Sequence, residues 1–261
     1  MSRLFLLLLL AGCSRTPDVT DPSAPPTGTI EGEHALDDQS AVYNLYVPAT
    51  DGTLGLAVLL PGDGWPGSDL IGESRITDWA DANGYIILSA DAPGPNQSGC
   101  WWTPHKHDRA AFLVDLIQQR VLDVYEVDTT RVHLGGWSGG AFLAFGVPFY
   151  EQLGFSGGLI GVCGGDLPRE DSSTDWCEVD ETQDDPLLDV ADATFDAVAS
   201  GRRVYLSTTT GDDWYGAITA ARDTWTAHGA TVHFEDEGSG GHCDYDVTGA
   251  FVAGLDWLVA E

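Results

Sequence analysis

Arg131-Val-His-Leu-Gly-Gly-Trp-Ser-Gly-Gly-Ala-Phe-Leu-Ala-Phe145 reads as a short strand, a serine flanked by glycines, and an apolar run with helical spacing. The core of it, Gly136-Trp137-Ser138-Gly139-Gly140, has the layout of a nucleophile elbow. A serine hydroxyl attacks a carbonyl only if it projects clear of the backbone beside a base, and a tight strand-to-helix turn presents it so. That turn brings neighbouring backbone close, so side chains at Gly136 and Gly140 would clash. It also aims the Gly139 amide and the start of the following helix at the place where a developing oxyanion would sit.

Outward from this stretch, strand and helix patterns alternate. Extended runs fall at 41–47, 55–60, 85–90, 131–134, 156–162, 203–208 and 231–235. Helical patterns lie at 69–82, 107–124, 138–152, 187–199, 215–228 and 245–259. Val58-Leu-Leu60, Tyr85-Ile-Ile-Leu88 and Val204-Tyr-Leu206 are apolar throughout, as in strands covered on both faces. The expected architecture is α/β, one mostly parallel central sheet flanked by helices, with any site at the carboxyl ends of its strands.

A nucleophilic serine needs a base, and the base an orienting acid. Of seven histidines, His34, His133 and His233 fall in or near strands and read as structural. His228 sits at a helix end, a place that favours partial positive charge, and His105 and His107 share a loop where the H-x-H spacing is only a weak metal signal. His242 lies in Glu237-Gly-Ser-Gly-Gly-His-Cys243, a glycine-rich turn between a strand and the last helix. Such a turn can lay an imidazole over the sheet edge, which makes His242 the candidate base. Val204-Tyr-Leu-Ser-Thr-Thr-Thr-Gly-Asp-Asp-Trp214 supplies a strand, a turn and two adjacent acids. Asp213 is preferred as the orienting acid, Asp212 is the alternative, and no pattern breaks the tie. A second oxyanion amide is expected from Leu59-Leu-Pro-Gly-Asp-Gly-Trp-Pro-Gly67, at Asp63 or Gly64. Trp65, Trp101, Trp102, Trp137 and Trp214 all fall in loops predicted to surround Ser138, where they would line a substrate cleft or be buried as its wall.

The order Ser138, acid, His242 resembles that of the α/β-hydrolase superfamily. Within it, the chain is similar to small secreted esterases of the polyhydroxybutyrate depolymerase and feruloyl esterase type. The likeness rests on Val58-Leu-Leu-Pro-Gly-Asp-Gly64, Ala80-Asp-Ala-Asn-Gly-Tyr-Ile-Ile-Leu88, Cys100-Trp-Trp102 and Asp128-Thr-Thr-Arg-Val-His-Leu-Gly-Gly-Trp-Ser-Gly-Gly140. It departs at Pro61-Gly62, where relatives usually carry His-Gly, and slightly at Gly139-Gly140. The resemblance implies ester hydrolysis through an acyl-enzyme, with no cofactor and no metal. Two rival readings use the same residues: a serine peptidase or other acyl hydrolase, and an inactive cell-surface binding module. No interruption of the pattern is long enough for a large cap domain; the longest candidate insert, 164–185, would at most roof part of the cleft.

The ends and the composition set the context. Met1-Ser-Arg3, an apolar run over 4–10 and Leu10-Ala-Gly-Cys13 resemble a bacterial lipoprotein signal, with Cys13 as the lipidated residue. Residues 14–29, rich in Pro, Ser, Thr and Asp, read as a tether, and 30–261 as one domain. The expectation is an exported, lipid-anchored monomer that meets a membrane only through its anchor. With 41 acidic against 11 basic residues, a formal charge of −30, the surface repels nucleic acid. Beyond Cys13, an even set remains, Cys100, Cys163, Cys177 and Cys243, which in an exported protein favours two disulfides. Cys163 and Cys177 flank one polar loop and are the expected local pair, leaving Cys100 with Cys243.

Overall fold

Strands that are apolar without alternation occupy the middle of the sheet. In the computed structural model, which describes residues 25–50, 52–94, 99–103, 105–151, 156–168 and 187–260, every residue of β3 (Leu54–Leu60) and β4 (Tyr85–Ala90) is buried. The leader, Cys13, most of the tether and Cys177 lie outside the described residues. The other strands are β1 (Gly28–Leu36), β2 (Gln39–Val47), β5 (Val127–Trp137), β6 (Leu159–Val162), β7 (Arg203–Thr208) and β8 (Thr231–Asp236). They form one eight-stranded sheet in the order β1-β2-β4-β3-β5-β6-β7-β8. The β1–β2 and β2–β4 pairs are antiparallel; all pairs from β4 to β8 are parallel.

Successive residues of β3 serve opposite layers. Leu56, Val58 and Leu60 pack into one core with α3 (Lys106–Ile117), α4 (Gly139–Tyr150), α5 (Asp192–Ala199) and α6 (Tyr215–Ala227). Ala57 and Leu59 pack into the other, beneath α1 (Ser68–Ile71), α2 (Ser74–Asn83) and α7 (Val247–Val259). This period of two is what covered parallel strands require. No cap domain is apparent among the described residues.

Some boundaries differ from the sequence expectation. β1, an amphipathic edge strand whose burial alternates, begins at Gly28, inside the segment expected to be tether. The helix expected over 69–82 is two pieces, α1 ending at its cap Gly72 and α2 starting at Ser74. α3 runs into a wider π-type turn at Gln118–Leu122, so the apolar period continues past the last α-helical residue. α5 starts only at Asp192, and β6 only at Leu159. His133 is structural as expected. Its Nδ1 accepts from the Gly158 amide at 2.9 Å and its Nε2 meets the Tyr85 hydroxyl at 3.1 Å; burial pushes its pKa down to about 4, so the ring is neutral.

Phe145 joins the elbow helix to the core. It is fully buried on α4 and stands edge-on to Trp225 of α6, ring centres 5.9 Å apart. Phe145→Ala should cost about 3–5 kcal/mol, read as a lowered midpoint in urea unfolding with an unchanged slope.

Candidate active site

β5 ends at Trp137, the chain reverses at Ser138, and α4 starts at Gly139. Ser138 holds φ 49° and ψ −125°, outside the ordinary regions for a residue with a side chain. The turn is kept by close backbone approach on both sides. A Cβ on Gly136 would run into the Gly140 backbone, and one on Gly140 would stand 2.6 Å from the Leu60 carbonyl oxygen at the end of β3. The Ser138 amide donates to the Val162 carbonyl at 3.0 Å, tying the elbow to β6.

Three side chains line up from this turn. Ser138 Oγ lies 2.8 Å from His242 Nε2, and His242 Nδ1 lies 3.0 and 3.1 Å from the two carboxylate oxygens of Asp212. The preference for Asp213 is corrected here: Asp213 is exposed at the turn, and Asp212 turns inward beneath the imidazole. The local chain explains the choice. Asp212 Oδ1 accepts the Trp214 amide at 2.9 Å, capping the turn before α6, and Oδ2 accepts the Thr208 hydroxyl at 2.9 Å. Burial pushes the Asp212 carboxyl up, but the bonds from His242, Trp214 and Thr208 outweigh it and hold the pKa below the usual carboxylate range. Asp212 is therefore an anion under an imidazole whose Nδ1 must carry a proton to meet it.

The His242 loop is fastened to the Asp212 loop. The Thr210 amide donates to the Gly238 carbonyl at 2.7 Å, and the Thr209 hydroxyl to the Gly241 carbonyl at 3.1 Å. A covalent tie adds to these. Cys163, just past β6, is bonded to Cys243, next to His242, with Cα atoms 5.3 Å apart. This corrects the expected pairings of Cys163 with Cys177 and of Cys100 with Cys243. Cys100 is disulfide-bonded as well. Spacing along the chain does not encode this pairing, because the parallel crossovers bring the loops after β6 and β8 together across 80 residues. The two sulfurs and His242 form the single metal-like grouping of three among the described residues, but sulfurs bonded to each other offer no thiolate.

On the other side of Ser138 lies the loop after β3. The Gly64 amide, one expected oxyanion donor, is directed instead to the Gly99 carbonyl at 2.6 Å, which leaves Gly139 and Asp63 as the candidates. Asp63 does more than offer an amide. Its Oδ1 accepts the backbone N–H groups of Trp101 and Trp102 at 2.6 and 3.2 Å, and its carboxyl packs against Gly139 where a side chain would otherwise be. Desolvation pushes its pKa up to about 6 against the pull of those two amides.

The five tryptophans separate into two groups. Trp65 and Trp137 line the cleft of about 870 Å³ that opens onto Ser138 and His242. Trp101 is 1% exposed and belongs to the core, so its expected substrate contact is corrected. Trp102 and Trp214 pack around Phe142 at 4.2 and 5.2 Å between ring centres and do not line that cleft, so they are corrected likewise. Apolar rings on loops over a sheet tend to pack on its core or on one another rather than stay open to a cleft.

Two outcomes are expected. Between pH 4 and 6 the native state keeps the Asp63 proton that the unfolded chain has released, so this group lowers stability as pH rises through that window. Asp63→Asn keeps the acceptor for both amides and removes the titration. Its stability relative to the parent should rise by on the order of 2 kcal/mol from pH 4 to pH 6, by chemical denaturation at each pH. Cys163→Ala/Cys243→Ala should lose about 3–4 kcal/mol of stability and show faster amide exchange over 238–243.

No protein-family profile matches this chain, and no curated protein sequence does. Solved structures do. The Staphylococcus aureus fluorophosphonate-binding serine hydrolase FphF superposes with a TM-score of 0.66 at 15% identity, over 90% of this chain and 100% of that one. The S-formylglutathione hydrolase FrmB of Staphylococcus aureus gives 0.61 at 13% identity, over 92% and 99%. A bacterial heroin esterase gives 0.61 at 16%, over 88% and 83%. With the sheet order, the elbow and the absence of a cap among the described residues, these likenesses establish that the chain has the α/β-hydrolase fold.

Proposed function

We propose that the protein is a serine esterase that cleaves carboxylic esters through an acyl-enzyme on Ser138. The observation that carries this reading is the unbroken line Ser138 Oγ, His242 Nε2, His242 Nδ1, Asp212, at 2.8 and 3.0 Å. Ser138 Oγ bonds to the ester carbonyl carbon while its proton passes to His242 Nε2, and Asp212 holds the opposite nitrogen protonated and offsets the imidazolium charge. The oxyanion is held by the Gly139 amide at the start of α4 and by the Asp63 amide. Collapse breaks the bond to the alcohol oxygen, which takes the proton from Nε2. A water, deprotonated by the same nitrogen, then releases the acid and restores Ser138.

The open cleft, uncapped among the described residues, suits an ester that is bulky or attached to a polymer. Lipid-anchored export rests on residues 1–13 alone. A binding module has no use for a strained serine aligned on a histidine and a buried acid, and this favours the enzyme.

The test is labelling by a fluorophosphonate probe alongside turnover of p-nitrophenyl acetate. Ser138→Ala should abolish both and leave the melting temperature within a few degrees. Asp212→Asn should lower kcat by about 10³–10⁴ and Asp213→Asn by no more than about twofold. A well-folded protein that is neither labelled nor active would remove the esterase reading and favour the binding module.

A further inference from the structure

The cleft that reaches Ser138 has a chemical character that the hydrolytic residues do not require. Trp65 stands at its rim with 58% of its surface exposed, and its ring meets that of Trp137 edge-on, centres 6.3 Å apart. A large aromatic left open to water beside a nucleophile offers a π face to whatever enters. From the α1–α2 corner, Asp69 and Glu73 line the same cleft, both exposed. No lysine or arginine is among its lining residues within the described part of the chain. Arg75 on α2, which also feels the charge of Glu73, is engaged by a two-pronged pair with Asp246 at 2.7 and 2.8 Å. Apolar surface from Leu70 and Val247 completes the walls.

Aromatic faces, apolar walls and exposed carboxylates, in a space well beyond the size of an acetyl group, together favour one kind of guest. An anionic group is repelled by Asp69 and Glu73, and a neutral apolar group leaves those carboxylates to water. An alkylammonium matches all three: its charge faces the carboxylates and its methyl or methylene surface lies on the indoles. We propose that the preferred substrates are esters carrying an ammonium or quaternary ammonium group within a few bonds of the scissile carbonyl, seated between Trp65, Trp137, Asp69 and Glu73. This rests on the esterase reading above and narrows it to a substrate class.

The experiment compares kcat/KM within pairs of equal shape. With the cation on the alcohol half, acetylthiocholine is set against S-(3,3-dimethylbutyl) thioacetate. With the cation on the acyl half, p-nitrophenyl 4-(trimethylammonio)butanoate is set against p-nitrophenyl 5,5-dimethylhexanoate. At least one charged member should be preferred by about tenfold or more at low salt, and the pair that shows it says which half of the ester occupies the cleft. The preference should shrink several-fold between about 20 and 500 mM NaCl, where the Debye length falls below the size of the site. Asp69→Asn/Glu73→Gln should bring the ratio close to one, and Trp65→Ala should lower it chiefly through KM of the charged ester. Each enzyme is its own reference, so a general loss of activity in a variant does not imitate loss of selectivity. Ratios near one in both pairs with p-nitrophenyl acetate still cleaved would overturn the cation site and leave the esterase standing. A preference that survives the double substitution would place the selectivity elsewhere and overturn the proposal. Absence of turnover on every ester, p-nitrophenyl acetate included, would remove both.

Discussion

Everything at this site depends on how closely α4 can approach the end of β3. Gly140 lies where any side chain would press on the Leu60 and Pro61 carbonyls, and Gly136 lies where one would strike the first turn of α4. Only with both positions bare does the chain reverse within one residue, and only then is Ser138 held at φ 49° with its hydroxyl clear of the sheet. The sheet below makes that conformation affordable. β3 and β5 run side by side up to Leu60 and Gly136, and the strain sits on a fully covered platform rather than in a free loop.

Above the platform, the reactive groups come from loops that have little core of their own. They are immobilised by one another instead. Thr209 and Thr210 bind the loop of His242, Thr208 and the Trp214 amide bind Asp212, and Asp63 gathers the amides of Trp101 and Trp102 beside Gly139. The bonds of Thr209, Thr210 and Asp63 link the ends of different strands, and those to Asp212 close the turn after β7. The histidine's position is thus set jointly by the ends of β6, β7 and β8.

Much of this was legible in the chain. Gly-x-Ser-x-Gly after an apolar strand, and a histidine in a glycine-rich turn ahead of the last helix, are local patterns whose physical causes lie within a few residues. The apolar strands were legible for the same reason, since covering both faces leaves no polar positions. What escaped was set at a distance. Asp212 and Asp213 are adjacent and chemically alike, and only the direction of one turn, fixed by Thr208 and the Trp214 amide, separates them. The cysteine pairing depends on strand order, which no spacing encodes. Trp101 and Trp65 sit in loops of similar composition, yet one is core and the other is rim, because Asp63 draws the 100–102 segment inward. β1 was hidden by its polar alternation and by the proline-rich residues before it.

The Cys163–Cys243 bond makes the geometry of His242 a record of the surroundings in which the chain folded. Glutathione-rich surroundings keep cysteines of this kind reduced, and there the 238–243 loop is held by hydrogen bonds alone. Oxidation closes an 80-residue loop and locks the imidazole over Ser138. The same polypeptide thus holds His242 more loosely with the two thiols reduced than with them joined, so the alignment of the imidazole on Ser138 is coupled to the redox state of its surroundings.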